Sequence, residues 1–370
     1  MTPDSHPAPP GSARALVAHG FAGFAVAGAL QALYGPSVPA LARLHDVLPS
    51  QAGAIVGAHA AGGFVALALA MAVPGITARH ALLSIAAGAG MVAAGPSFAA
   101  TMAGAALIGA GSALNSSVFN RRFLSELGSR GARMLGILNA VFAVGAVVAP
   151  LAFVAAGARI GAAYGALAAC ALVLALLARG GPAPEPDARV PLGAALRRPA
   201  ILVAGGLGVG MELSLQGFGP AALIAGGMGE GAAAGWASAF FAAFLGARLA
   251  LWWLADRVAP LRLLAGAMAV GGLACAAAAW GGWLAGPAYV VAGAAVALTF
   301  PSYYVAASRR LGTAERMSAL VIAAGYLGAT LVPAALSPLL AQVGVGALFA
   351  VMAAYGIAAA ALTLAVRSRP

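Results

Sequence analysis

Charge is what this sequence has least of. Only 8% of its 370 residues are charged, and nine of those are acidic. Soluble globules are about 25% charged and about 45–50% apolar. Here 62% of residues are hydrophobic and the mean hydropathy is +0.97. So few charges cannot cover a water-facing surface, which excludes a soluble domain and implies an integral membrane protein. Cysteine is also scarce. Cys170 and Cys275 both lie inside apolar runs, where buried packing is the simpler reading than a disulfide or metal ligand. No phosphate-binding glycine motif stands in a strand–helix setting, and no His-Glu-x-x-His metal motif occurs. "GLGVG" at 206–210 lies within a helix-length apolar run and is no phosphate loop. No metal and no cofactor is expected.

Glycine and alanine are abundant instead, with 51 glycines, as suits close helix–helix packing in lipid. A spanning helix needs about 20 apolar residues. That rule gives twelve spans, near 15–38, 50–72, 80–97, 99–119, 133–156, 160–178, 200–224, 234–254, 261–281, 286–307, 316–340 and 345–366. The third, fourth and sixth are least distinct because the loops beside them are short. "MTPDSHPAPPGSAR" reads as a short disordered cytoplasmic tail. The apolar run after it has about 25 residues, against roughly 7–15 for a signal core.

All 20 basic residues are arginines. With both termini in the cytoplasm, 17 of them fall in cytoplasmic segments, Arg43 and Arg159 fall outside, and Arg248 falls within a span. The positive-inside rule thus sets span count and orientation. It also accounts for the net charge of +11 without a nucleic-acid partner. A monomer in a bacterial inner membrane, in contact with lipid, is expected. Trp236, Trp252, Trp253, Trp280 and Trp283 lie at or near span ends, as an aromatic belt requires.

The polar connection 180–198 divides a six-helix bundle at 14–179 from another at 199–370, with the tail at 1–13. The bundles repeat one another. "YGP" at 34–36 matches "FGP" at 218–220, an offset of 184. "RM" at 133–134, "GAVVAP" at 145–150 and Gly161 match "RM" at 316–317, "GATLVP" at 328–333 and Gly344, an offset of 183. Two parallel six-helix halves, related by an axis along the membrane normal, are a transporter architecture. A passive channel has no evident use for such a repeat.

Three stretches resemble the major facilitator superfamily, over about residues 15–366. "GARLALWWLADRVAPLRLL" at 246–264 is similar to the family signature Gly-x-x-x-Asp-Arg, matched at Asp256 and Arg257. Trp252 replaces its glycine, and Arg262 alone remains of its trailing basic pair. In the first half Gly75 stands in place of the aspartate, which implies a weaker latch there. "LNAVFAVGAVVAPLAF" at 138–153 resembles the fifth-helix glycine–proline motif at Gly145 and Pro150, with Gly328 and Pro333 as repeat equivalents. "GVGMELSLQGFGPAALI", followed by Gly246 and Arg248, looks most like the fucose–proton symporter-like branch. The resemblance implies an all-α membrane protein, with twelve transmembrane helices in two pseudo-symmetric six-helix bundles. It also implies a gating latch at Arg248, Asp256 and Arg257.

Glu212 is the one ionisable residue from Pro199 to Gly229 and lies near the middle of its span. A charge there costs about 2.5–3.5 kcal/mol on insertion scales. A carboxyl that is neutral in one stage of a cycle and ionised in another carries a proton, so Glu212 is the coupling candidate. The alternative is a protonated or arginine-paired glutamate that fixes helix packing. His59, beside Gly62 and Gly63, is the second protonation candidate, against a neutral packing histidine. On a helical wheel Gly205, Gly208, Leu215, Gln216 and Gly219 share the face of Glu212, which reads as a cavity wall. Gly28 holds the repeat position of Glu212. Gln31, Asn115, Asn139 and Gln216 are intramembrane amides, suited to a polar ligand or to interhelical hydrogen bonding. Tyr303 is a further cavity candidate, or a belt residue. Arg248 either reaches the cytosolic interface, stacks on Trp252 or pairs with Asp256.

The expected function is proton-coupled secondary transport of a small, sugar-like solute by alternating access. Proton-driven export of drug-like compounds or metabolites is the alternative. An enzyme would need two or more facing acid–base or metal groups at one depth, and the spans offer only Glu212 and His59.

Overall fold

The computed structural model describes residues 10–70, 75–127, 131–178, 199–254, 257–311 and 315–367, and every regular element among them is helical. Lipid offers no partner for backbone N–H and C=O groups, so a spanning segment must satisfy them internally as a helix. Alanine, with the highest helix propensity, favours the same outcome. The first half holds α1 (Pro10–His45), α2 (Pro49–Gly53), α3 (Ile55–Ala70), α4 (Ala78–Ala94), α5 (Phe98–Glu126), α6 (Gly131–Ala155) and α7 (Ile160–Leu177). The second holds α8 (Pro199–Ala225), α9 (Glu230–Leu254), α10 (Pro260–Ala279), α11 (Ala285–Val296), α12 (Thr299–Leu311), α13 (Glu315–Val343) and α14 (Leu348–Arg367). Helices α2 and α3 form one rod, and α11 and α12 another. Eleven rods are long and apolar enough to cross a membrane, and the shorter apolar α4 completes twelve.

Several boundaries depart from the sequence reading, and three are instructive. Helix α1 already runs from Pro10, where proline's fixed φ suits a first turn. The rest of the expected tail and the 180–198 linker lie outside the described residues. The third span stops at Ala94 rather than 97. Gly95 takes a left-handed φ of 53° and its N–H closes on the Met91 carbonyl, while the Ser97 hydroxyl accepts from Ala100 N–H and starts α5. The tenth span is not continuous: Ala297 and Leu298 separate α11 from α12.

Both halves pack by one scheme. In the first, α1 packs on α6, α3 and α4 on α5, and α4 on α7. In the second, α8 packs on α13, α9 and α10 on α11, and α10 on α14. Each pairing recurs at the equivalent rod, so the repeat is realised in three dimensions. The joints between halves obey the same symmetry: α3 meets α13, α6 meets α9, and α1 meets α8. Gly145 and Gly328 occupy equivalent seams. A Cβ on Gly145 would overlap the Ala25 backbone of α1, and one on Gly328 the Gly206 backbone of α8. Pro150 and Pro333 are buried further along the same two helices.

The halves are joined at the end of the rods far from the N terminus. Arg43 Nη1 lies 2.7 Å from Glu230 Oε1, and Ser337 Oγ donates to the Ser50 carbonyl at 2.9 Å. Phe218 fills the space over Gly53, Val56 that over Gly217, and Pro220 abuts Gly35. Helix α8 is the most enclosed rod, with 89% of its apolar window buried against 22% for α7. It forms the axis against which the second half packs.

Candidate functional site

Glu212 sits midway along α8 and is 5% exposed. The glycines on its face leave notches that aromatic rings of the same half fill. Tyr303 lies over Gly205 and Tyr289 over Gly219, while Met268 and Thr299 meet Gly208. That face is therefore a packing surface against α10, α11 and α12, which corrects its reading as a cavity wall. A wheel of glycines looks alike in either role until the opposing rings are placed.

The carboxylate points into this half. Its Oε1 lies 3.3 Å from Gln216 Nε2, one turn along, and 3.9 Å from Arg248 Nη2 of α9. Its Oε2 lies 3.3 Å from Thr299 Oγ1, which is also 2.7 Å from the Val296 carbonyl. A hydroxyl has one proton and two lone pairs. With the proton on Val296 O, Thr299 can accept from a neutral Glu212; turned, it donates to an ionised one. The break between α11 and α12 thus supplies a partner that serves both protonation states.

Arg248 lies with its guanidinium 4.4 Å over the Phe244 ring, one turn earlier, and its Nε donates to Ala297 O at 3.4 Å. Its side chain is 31% exposed whereas that of Glu212 is 7%, so the arginine forms the rim and the carboxylate sits behind it. This is the arginine-paired arrangement, with Arg248 beside Glu212. Arg257 turns back on its own helix end, donating to Trp253 O at 2.8 Å with its guanidinium 3.9 Å over that ring. Asp256 lies outside the described residues.

Gln216 carries the site across the molecule. Its Oε1 accepts from Gln31 Nε2 of α1 at 2.9 Å. A hydrogen-bonded chain therefore runs from Gln31 in the first half through Gln216 and Glu212 to Thr299. The other candidates stand apart from it. His59 Nδ1 pairs with Tyr34 Oη at 3.0 Å inside the first half, and Tyr164 Oη donates to Ser37 Oγ at 3.4 Å nearby. Asn115 is fully buried against Gly23, and neither atom of its amide has a hydrogen-bond partner among the described residues. Asn139 is exposed on α6. Tyr303 is buried and donates to the Val321 carbonyl at 2.9 Å, a packing position towards the other end of α8. Among the described residues no cluster of His, Cys, Asp or Glu could hold a metal ion. Sequence reasoning missed Thr299 and Phe244. A proline two residues on, in "LTFP", was the only mark of the helix break.

No protein-family model and no curated protein matches the sequence. Solved structures do match the fold. The nucleoside transporter NupG superposes with a TM-score of 0.76 at 15% identity, over 95% of this chain and 98% of that one. PepTSo, a POT family transporter, gives 0.75 at 12% identity, over 98% of both chains. The fucose:proton symporter FucP of E. coli gives 0.61 at 19% identity, over 96% and 98%. The chain thus has the major facilitator fold, and it is an integral membrane protein.

Proposed function

We propose that this protein is a proton-coupled secondary transporter that moves a small polar, sugar-like solute into the cell by alternating access. The observation that carries the reading is the chain Gln31–Gln216–Glu212–Thr299, with Arg248 at its rim. It sets an ionisable group beside the break in the tenth rod and links it to the first half through Gln216. Ionised, Glu212 attracts the Arg248 guanidinium. Protonated, it loses that attraction, and Arg248 keeps Ala297 O and the Phe244 face. Proton uptake would so alter what ties α8 to α9 and to the α11–α12 break. Gln31 links that change to the first half. The amides of Gln31 and Gln216 donate and accept, as recognition of hydroxyl groups needs. Neighbours of the same fold include a transporter named for nucleosides and a symporter named for fucose and the proton.

With the N terminus in the cytoplasm of a bacterial inner membrane, the joined end is the outer one, and the Arg43–Glu230 pair closes it. The test is uptake by proteoliposomes under an imposed pH gradient, screened over sugars and nucleosides. Glu212→Gln should retain solute exchange at equal pH and lose accumulation. Unchanged accumulation, or dependence on sodium alone, overturns proton coupling at Glu212.

A further inference from the structure

A pocket of about 170 Å³ opens between the start of α10 and the end of α12, at the rod ends opposite the Arg43–Glu230 pair. Residues 259–262 form one wall, and Ala306, Arg309 and Arg310 the other. Three arginines therefore line one concavity in a chain with only 20 basic residues. Arg262 and Arg309 have no hydrogen bond or ion pair to a described residue. Ala259, the N-cap of α10, makes no side-chain cap hydrogen bond, so the positive end of that helix dipole also lies here.

The first half shows what a neutralised version looks like. Arg79 stands 183 residues before Arg262, at the matching start of α4. Glu126 stands 183 residues before Arg309, and it forms an ion pair with Arg122 on α5. The repeat thus places a carboxylate where the second half has an arginine. In the second half Arg262 and Arg309 remain for an external anion.

We propose that this pocket binds a phosphate group. Guanidinium forks match phosphate oxygens bidentately, and the site lies where helix ends meet a membrane surface. Two sources share that chemistry, an anionic phospholipid headgroup and soluble phosphate. Occupancy would tie α12 to α10 at the end of the broken rod that holds Thr299.

The test uses the full-length protein, freed of lipid in a neutral detergent. Binding of phosphatidylglycerol, phosphatidylcholine and inorganic phosphate is read by native mass spectrometry and thermal shift. Phosphatidylglycerol should bind and phosphatidylcholine should not. The double variant Arg262→Gln, Arg309→Gln should weaken binding by about tenfold or more. Arg79→Gln, an equal charge change at the equivalent place, should match wild type. The single change Arg309→Gln, on an exposed side chain, should give a partial loss and guards against a misfolded double variant. Inorganic phosphate that binds alone, with the same loss in the variants, assigns the soluble source. Wild-type affinity in the double variant, an equal loss in Arg79→Gln, or equal binding of phosphatidylcholine overturns the site.

Discussion

The two halves share one packing scheme and differ in chemistry. Equivalent rods pair with equivalent rods, and Gly145 and Gly328 seat equivalent seams. Yet the carboxylate and the arginine of the site belong to the second half only. Gly28 holds the place of Glu212 and Val65 that of Arg248. Gly28 has no room for a side chain, because the Phe142 carbonyl of α6 closes on it. Val65 is 53% exposed. Two buried polar pairs of the first half stay within it, His59 with Tyr34 and Tyr164 with Ser37. The backbone symmetry supplies two bodies that can rock against one another, and the asymmetry confines the ionisable switch to one of them.

Removing the switch should have the largest effect. At one proton per solute, each unit of pH gradient supports about tenfold accumulation. Glu212→Gln keeps the shape and the bonds to Gln216 and Thr299 while abolishing ionisation. Accumulation should fall to unity, and the pH dependence of uptake should flatten. His59→Gln, in the first half, should leave both in place, because His59 stands apart from the chain that joins the halves. A mutant at His59 that loses accumulation while Glu212→Gln keeps it would reverse the assignment.

The shared scaffold can be broken next. Gly328→Val drives a branched side chain into the Gly206 backbone, and Gly145→Val does the same to Ala25. Overpacking typically costs about 1–3 kcal/mol, and here backbone rather than side chain must yield. Both variants should lower the melting temperature in detergent to a similar extent. Gly246→Val, with nothing within 4 Å of a new Cβ, should leave it unchanged. Unequal losses at the two seams would mean that the halves are less alike than their pairings suggest.

Much of this scaffold was legible in the sequence. Apolar run lengths gave the twelve rods, and the offset of 183–184 gave the halves. Residue scarcity singled out Glu212, since one carboxylate in 31 residues from Pro199 to Gly229 stands out. Its direction was not legible. A glycine face admits a cavity, another backbone or an aromatic ring, and only the placement of Tyr303 and Tyr289 decides which. Thr299 escaped because hydroxyls are common in apolar helices and usually bond their own backbone, as Thr299 also does to Val296. Arg248 was visible, but its partner depended on the rotation of α9 against α8, which sequence spacing does not encode.

The hydrogen bond that joins the halves at mid-depth should matter less than the switch itself. Gln31→Leu removes the donor to Gln216 and leaves a buried amide oxygen without it. Such a loss costs about 1–3 kcal/mol, so uptake should fall roughly tenfold with its pH dependence retained. A flattened pH profile in Gln31→Leu would instead place Gln31 on the proton's own route.

The smallest effect is expected where the halves meet in the open. Arg43 and Glu230 approach to 2.7 Å, but their side chains are 62% and 45% exposed. Exposed pairs contribute about 0–1 kcal/mol, are screened by salt and cost side-chain entropy to hold. The buried contacts beside them, Phe218 over Gly53 and Val56 over Gly217, exclude lipid and water from the same joint and do not depend on salt. Arg43→Gln should therefore raise the accessibility of a cysteine placed at Ser50 by less than about fivefold, and salt should erase the difference. Phe218→Ala, which empties the space over Gly53, should raise it more and at every salt concentration. If Arg43→Gln has the greater effect, the far end is held by charge, and the two halves are latched there rather than packed.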